Sequence, residues 1–167
     1  MFPMLRRLPF KLILLLTLTL TLALFPPVWA GERKPVKLSA KDKCPVCGMF
    51  VAKYPDFAAQ IIFRDGSYAV FDGVKDMFKY YFDLKKYDPS KKLENIDSIY
   101  VTDYYGLTLV NGRGAAYVLG SDVLGPMGKE LIPFEKEEDA RGFMKDHKGQ
   151  SLVKFKDVTI GIIKSLD

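Results

Sequence analysis

The first thirty residues have the three-part layout of a secretory signal, which separates them from the domain that folds. Arg6, Arg7 and Lys11 come first, followed by the uncharged, leucine-rich segment 12–24 and the small residue Ala30. This layout predicts export and cleavage after Ala30. The alternative is a signal segment that stays uncleaved as a membrane anchor. The apolar segment is too short for this, because a membrane-spanning helix needs about 20 residues. The sequence therefore predicts a periplasmic protein.

The net charge of +5 owes much to this segment. The chain holds 25 Lys and Arg residues against 20 Asp and Glu, and three of the basic residues lie in the first eleven positions. In the remainder the two signs almost balance and no basic stripe stands out, which argues against nucleic-acid binding. The 49% hydrophobic share supports one domain with a core.

Polar residues 31–42 predict a flexible linker ahead of a compact domain over residues 43–167. Strand-forming segments in this domain come in hairpins, and each group is followed by a helical pattern. This order favours an α+β fold with antiparallel sheets over a parallel, doubly wound sheet. The two halves look like loose copies of a ββαβ-type unit by element order alone.

Turn and cap signals place the individual elements. Asp65 and Gly66 form a hairpin turn between two apolar runs, and Asp72 is expected to cap the next helix. Residues 120–128 predict a glycine-rich loop, and residues 158–166 are ambiguous between helix and strand. The expected strands are 58–63, 68–71, 98–104, 115–119 and 151–155, and the expected helices are 74–82 and 137–147.

Cys44 and Cys47 are the only cysteines, and their two-residue gap lets both sulfurs face one point. A structural disulfide is one interpretation, but it would close a very short loop and add little stability. A thiol–disulfide exchange pair is the second, although such a pair needs a strand before it and a helix after it, and here a polar segment precedes and Pro55 follows. A soft-metal site is the third, because thiolates and thioethers select Cu(I).

Further soft ligands lie within reach of this pair. Met49 follows Cys47, and a turn at Gly48 can bring its sulfur to the same ion. Two cysteines and one histidine fall short of a closed zinc site unless a carboxylate or a second chain contributes, whereas Cu(I) accepts two or three soft ligands. Met127 lies in the glycine-rich loop, where packing onto the core is the alternative. His147 ends an expected helix, where a capping role competes with a metal role.

Several strings of residues occur in an order that resembles a known family. They are CPVCGM at 44–49, YVTDY at 100–104, GAAYV at 114–118, GPMG at 125–128, PF at 133–134, and Phe143 before HKG at 147–149. Together they resemble the NosL family of nitrous oxide reductase accessory proteins, which are regarded as exported copper chaperones. The resemblance runs over about residues 43–150.

The resemblance implies Cu(I) delivery to the copper centres of a periplasmic reductase in denitrification, with the client copper enzyme and its assembly complex as partners. It also implies repeated ββαβ units similar to the organomercurial lyase fold. Cys47 and Met49 match the Cys-Gly-Met of the family, Met127 matches its loop methionine, and Cys44 matches its preceding cysteine. Two features depart from the family pattern: the chain lacks the lipoprotein cysteine of many members, and residues 147–149 replace a usual glycine pair.

We therefore expect an exported Cu(I) chaperone that passes its ion on by ligand exchange. Its candidate metal ligands are Cys44, Cys47, Met49, Met127 and His147. The sequence contains no nucleophile elbow, phosphate-binding loop or zinc-protease motif, so an enzyme is not expected. The alternatives are a thiol–disulfide oxidoreductase that uses the two cysteines and a purely structural partner of a membrane complex.

Overall fold

The computed structural model describes residues 31–167, so the expected signal sequence and its cleavage site lie outside the described residues. Within that range, every helix is too short or too polar to cross a membrane. The helices are α1 (Val74–Phe82), α2 (Leu84–Tyr87), α3 (Glu137–Asp146) and α4 (Ile160–Lys164). The strands are β1 (Ala59–Phe63), β2 (Tyr68–Phe71), β3 (Ile96–Thr102), β4 (Leu109–Asn111), β5 (Ala116–Leu119), β6 (Leu124–Gly125), β7 (Gly128–Lys129), β8 (Ile132–Phe134) and β9 (Ser151–Lys154).

β1, β2, α1 and β3 form a first ββαβ unit. β1 lies between β2 and β3 and runs antiparallel to both, with Ala59 opposite Phe71 on one side and Val101 on the other. β4 extends this sheet beyond β3. All five residues of β1 are buried, as the apolar run in the sequence requires of a central strand.

Residues 31–42, which the sequence assigns to a linker, contain no helix or strand and contact the sheet of the first unit. The buried Gln60 of β1 accepts a hydrogen bond from the Val36 backbone N–H at 2.9 Å and donates one to the Val36 carbonyl at 2.9 Å. The Arg33 backbone N–H donates to Asp97 of β3 at 2.7 Å. These contacts satisfy the polar groups of an otherwise apolar strand.

β5, β8, α3 and β9 form a second ββαβ unit with the same strand order. Here the first strand, β5, again lies between the other two, antiparallel to both. α3 packs on this sheet through a small apolar cluster. Its members are Ala116, Val118, Ile132, Phe134, Ala140 and Phe143. The α+β class with antiparallel sheets and repeated ββαβ-type units is thus confirmed.

The two units share one core at α1. The Phe78 ring of α1 lies 5.7 Å from that of Tyr117 on β5 and 5.0 Å from that of Phe155. These edge and tilted aromatic contacts join the helix of the first unit to the central strand of the second.

The structure corrects several details of the sequence-based assignment. The expected loop at 120–128 contains the strands β6 and β7, which form a short hairpin, and β4 was not predicted at all. The ambiguous segment 158–166 contains helix α4. Asp72 does not cap α1, because Gly73 is the N-cap residue and the Asp72 side chain accepts a hydrogen bond from Cys47 instead.

Candidate metal centre

The segment Cys44–Met49 folds back on itself in a tight turn. The Cys44 backbone N–H donates to the Met49 carbonyl at 2.9 Å, and the Gly48 N–H donates to the Cys44 carbonyl at 2.8 Å. Gly48 has φ +79°, a left-handed conformation that favours glycine. The residues on either side, Lys43 and Phe50, pair in an antiparallel bridge. This closure places both cysteine sulfurs on one side of the turn.

Two carboxylates from the junction of β2 and α1 face this turn. Asp72 follows β2, and Asp76 lies in the first turn of α1. The Cys47 thiol donates to Asp72 Oδ1 at 3.1 Å, and the Cys44 thiol donates to Asp76 Oδ2 at 3.4 Å. One donor atom from each of the four residues lies within 4.8 Å of all the others. We refer to these four residues as the Cys–Asp cluster.

The Cys–Asp cluster is buried on one side and accessible on the other. Cys44, Asp72 and Asp76 are almost fully buried, whereas Cys47 is partly exposed. Asp72 Oδ2 is buried and has no hydrogen-bond partner among the described residues. A buried carboxylate oxygen without a partner carries a desolvation cost that a bound cation would remove.

Burial also determines the protonation of the sulfurs. Burial raises the pKa of the Cys47 thiol to about 11 and raises the pKa of the Cys44 thiol further above its ordinary value. Hydrogen bonds to the carboxylates add to both shifts, and backbone N–H groups of the turn oppose them. Both sulfurs therefore carry protons at neutral pH, and a metal ion that binds them must displace these protons.

The geometry argues against two of the three interpretations of the cysteine pair. Both cysteines are free thiols, so no structural disulfide is present. A 3₁₀ turn at Val51–Lys53 follows the pair, and the thiol pKa values are raised. An exchange-active cysteine needs the opposite, a thiol pKa that a helix N-terminus or a cation lowers. The arrangement fits a soft-metal site best.

The first turn of α1 is held by residues that follow β7. Glu130 Oε1 accepts hydrogen bonds from the backbone N–H of Lys75 at 2.6 Å and of Leu131 at 2.9 Å. Burial raises the pKa of Glu130 to about 8. A Cβ atom at Gly73 would lie 2.2 Å from Glu130 Oε2, so only glycine leaves room for this carboxyl group. Glu130 thus supplies the helix cap that Gly73 lacks.

A comparison with known proteins identifies the family of this chain. The model of the NosL family matches residues 35–163. The chain belongs to the NosL family. NosL of Stutzerimonas stutzeri, described as a copper-binding lipoprotein, is 25% identical over a 163-residue alignment that covers 89% of this chain and 82% of that protein. The crystal structure of the copper chaperone NosL from Shewanella denitrificans has the same fold, with a TM-score of 0.66 and 23% identity, over 78% of this chain and 99% of that one.

The structure brings together only part of the ligand set that the NosL resemblance implies. Cys44 and Cys47 meet in the Cys–Asp cluster. Met49 is half-buried at the end of the cysteine turn. Met127 lies at the turn of the β6–β7 hairpin with 45% of its surface exposed, and its carbonyl accepts a hydrogen bond from Lys75 Nζ at 2.9 Å. This hydrogen bond attaches the β6–β7 hairpin to the first turn of α1.

His147 lies in the second unit, at the end of α3. Its Nδ1 is 3.1 Å from Asp122 Oδ1, and its ring stacks on Phe143 with the ring centroids 4.4 Å apart. Among residues 31–167, the Cys–Asp cluster does not include it. As a metal ligand His147 stays a prediction.

Asp72 and Asp76 are the site residues that sequence reasoning missed. Asp72 was interpreted as a helix cap, and Asp76 was not considered. The local sequence does not distinguish them from ordinary acidic residues at a helix start, because the cysteine turn that faces them lies 25 or more residues away along the chain.

Proposed function

We propose that this member of the NosL family is an exported chaperone that binds one Cu(I) ion at Cys44 and Cys47 and delivers it to a periplasmic copper enzyme. Nitrous oxide reductase is the proposed client, through its assembly complex. The observation that carries the proposal is the pair of free thiols in one short turn, one buried and one partly exposed. Copper is the cargo of this protein, and thiolate ligands favour its Cu(I) form.

Uneven exposure of the two sulfurs suggests how the ion leaves. A ligand of the client can reach the ion from the side of Cys47, while the buried Cys44 holds it from behind. Exchange then proceeds one ligand at a time, and the protein need not unfold. The ion must displace the two thiol protons, which in its absence are donated in hydrogen bonds to Asp76 and Asp72.

Thioethers complete the proposed Cu(I) ligand set. Met49 belongs to the same turn as the thiols, and Met127 is exposed on a hairpin that Lys75 fixes to α1. His147 Nδ1 is in contact with Asp122, so His147 would bind the ion through Nε2 or after this contact breaks. We propose it as the last ligand to test.

Export is part of the proposal and has two supports. The first thirty residues have the layout of a secretory signal. The relative from Stutzerimonas stutzeri is described as a lipoprotein, which is a class of exported protein.

An anaerobic competition titration against a chromogenic Cu(I) chelator tests the proposal. We expect the reduced protein to take one Cu(I) ion tightly and the Cys47→Ser variant to lose tight binding, because the variant removes a thiolate ligand. Met144→Leu, a methionine change on α3, is the matched control and should bind as the wild type does. Unchanged Cu(I) affinity in Cys47→Ser would contradict the site.

The same preparation tests the enzymatic alternative. A chaperone with thiol pKa values above the ordinary range should not reduce insulin disulfides at neutral pH. Insulin reduction that depends on Cys47, together with weak Cu(I) binding, would favour the oxidoreductase instead.

A further inference from the structure

The Cys–Asp cluster contains more donor atoms than Cu(I) needs. Two thiolates satisfy a soft monovalent ion, and carboxylate oxygens are harder ligands that such an ion does not select. Yet Asp72 and Asp76 are among the most buried polar residues of the described chain, and both face the sulfurs. Buried carboxylates normally have an ion or a set of hydrogen bonds to compensate them.

Asp72 has no such compensation. Its Oδ1 accepts only the weak hydrogen bond of the Cys47 thiol, and its Oδ2 has no partner among residues 31–167 although it is buried. Asp76 is better placed, because its Oδ1 lies 3.8 Å from the ammonium group of Lys79. Within the described part of the chain, Asp72 therefore has no ion pair like that of Asp76 with Lys79.

The spacing of the four donors is close to that of a tetrahedral metal site. In such a site, metal–sulfur bonds of about 2.3 Å and metal–oxygen bonds of about 2.1 Å place each sulfur about 3.6 Å from each oxygen and the two sulfurs about 3.8 Å apart. Here the sulfur–oxygen distances are 3.1 Å for Cys47–Asp72 and 3.4 Å for Cys44–Asp76. The remaining separations do not exceed 4.8 Å. Small side-chain movements would bring all four donors onto one ion.

The combined charge of the four ligands indicates the charge of the ion that they would bind. With both thiols deprotonated the four ligands carry four negative charges, and Lys79, which also pairs with Asp167 at 2.5 Å, offsets only part of one of them. A divalent ion compensates more of this buried charge than Cu(I) does. The ion must also be of intermediate softness, because two of its ligands are sulfur atoms and two are oxygen atoms.

We infer that Cys44, Cys47, Asp72 and Asp76 also form a closed, four-coordinate site for a divalent ion of the Zn²⁺ class. This inference rests on the same two thiolates as the proposed function. Zn²⁺ then competes with the Cu(I) cargo, and the two carboxylates determine how strongly. Cu(I) uses the sulfurs with the thioethers, whereas Zn²⁺ uses the sulfurs with Asp72 and Asp76.

Cobalt(II) is the probe for this site, because it substitutes for zinc and reports its coordination in the visible spectrum. Reduced protein is titrated with Co²⁺ under anaerobic conditions, and Zn²⁺ is then added to displace it. We expect one Co²⁺ per chain, with the intense d–d bands of a tetrahedral ion and thiolate charge-transfer bands, and stoichiometric displacement by Zn²⁺. A six-coordinate Co²⁺ spectrum or no binding would overturn the inference.

Asp72→Asn and Asp76→Asn test the carboxylates, since each keeps the shape of the side chain and removes its charge. We expect each to weaken Co²⁺ binding at least about 100-fold, since even outer-shell partners contribute about 10–100-fold. Cu(I) affinity, measured by chelator competition, should fall much less, so that the ratio of the two affinities changes. Asp103→Asn is the control, because Asp103 is a buried aspartate outside the cluster that accepts backbone hydrogen bonds from Gly106 and Glu135.

The outcomes separate this inference from the proposed function. Equal loss of Co²⁺ and Cu(I) affinity in Asp72→Asn and Asp76→Asn, or loss of neither, would overturn the divalent site. Tetrahedral Co²⁺ binding without tight Cu(I) binding would overturn the copper chaperone and leave the divalent site standing. Tight Cu(I) binding without Co²⁺ binding would do the reverse.

Discussion

The two ββαβ units share a strand order and differ in what lies at the start of their helices. In the first unit the helix start is buried, with Asp72, Asp76 and the two thiols packed together. In the second unit the acidic residue Glu137 at the start of α3 is partly exposed and pairs with Arg141 and Lys154. The same topology therefore supports the buried Cys–Asp cluster in one unit and a partly exposed, ion-paired helix end in the other.

This difference shows that the shared topology determines where each helix begins, whereas the residues packed around that point determine its chemistry. α1 is buried over most of its length, including the charged residues Lys75 and Asp76, whereas α3 buries only Ala140 and Phe143. The burial of Cys44, Asp72 and Asp76 at this helix end lowers the effective dielectric around them, which strengthens their interaction with a bound ion. The second unit has no such cover and serves as an internal reference for the first.

The largest expected effect concerns Glu130, which caps the buried helix end. Because burial raises its pKa to about 8, the folded state holds this proton more tightly than the unfolded state. Its contribution to stability is therefore fully present below pH about 4.5 and is lost as the pH rises through 8, by roughly 5 kcal/mol.

Denaturant unfolding from pH 4 to pH 9 measures this effect. Glu130→Gln keeps an acceptor for the Lys75 N–H and should remove that part of the pH dependence. Glu137→Gln, at the solvated helix end, is the control and should leave the pH profile as it is. An identical slope in wild type and Glu130→Gln would show that the two helix ends do not differ in this respect.

A smaller effect is expected at two glycines, one in each unit. Gly73→Ala places a Cβ atom 2.2 Å from Glu130 Oε2, which its carboxyl group cannot avoid while it caps α1, so we expect a loss of about 2 kcal/mol. Gly142 in α3 has open space around the position of a Cβ, so Gly142→Ala should stabilise the protein by about 0.5–1 kcal/mol. Urea unfolding of both variants at one pH tests the pair. A stabilising Gly73→Ala would refute the close fit at the first helix end.

A tenfold effect on copper affinity, rather than on stability, is expected at Met127, at the turn of the β6–β7 hairpin. Met127→Leu keeps the size of the side chain and the carbonyl that accepts from Lys75, and it removes only the thioether. We expect Cu(I) affinity to fall about tenfold, or about 1.4 kcal/mol, by chelator competition. An unchanged affinity would limit the Cu(I) ligands to the cysteine turn.

The sequence allowed the first unit to be predicted better than the site inside it. The Asp65–Gly66 turn, the apolar run of β1 and the helical spacing of α1 are local patterns, so the hairpin and helix were predicted nearly to the residue. The pairing of Cys44 with Cys47 is likewise local. β4 was missed because a strand of three residues at a sheet edge has almost no periodicity.

The carboxylates were missed for a different reason. An aspartate next to a helix start is usually a cap, and only the three-dimensional approach of the cysteine turn shows that Asp72 has another partner. The burial of Glu130 depends in the same way on Gly73, a residue far away in the sequence. Non-local contacts of this kind leave no pattern within either segment.

The positions of the four cluster residues along the chain have a consequence for assembly. All of them fall within residues 44–76, whereas the cap on α1 comes from Glu130. Joining the ends of a short loop costs less chain entropy than joining those of a long one. The thiols and carboxylates are therefore joined by short loops at a low cost in chain entropy, whereas the contact between Glu130 and α1 closes a loop of more than fifty residues.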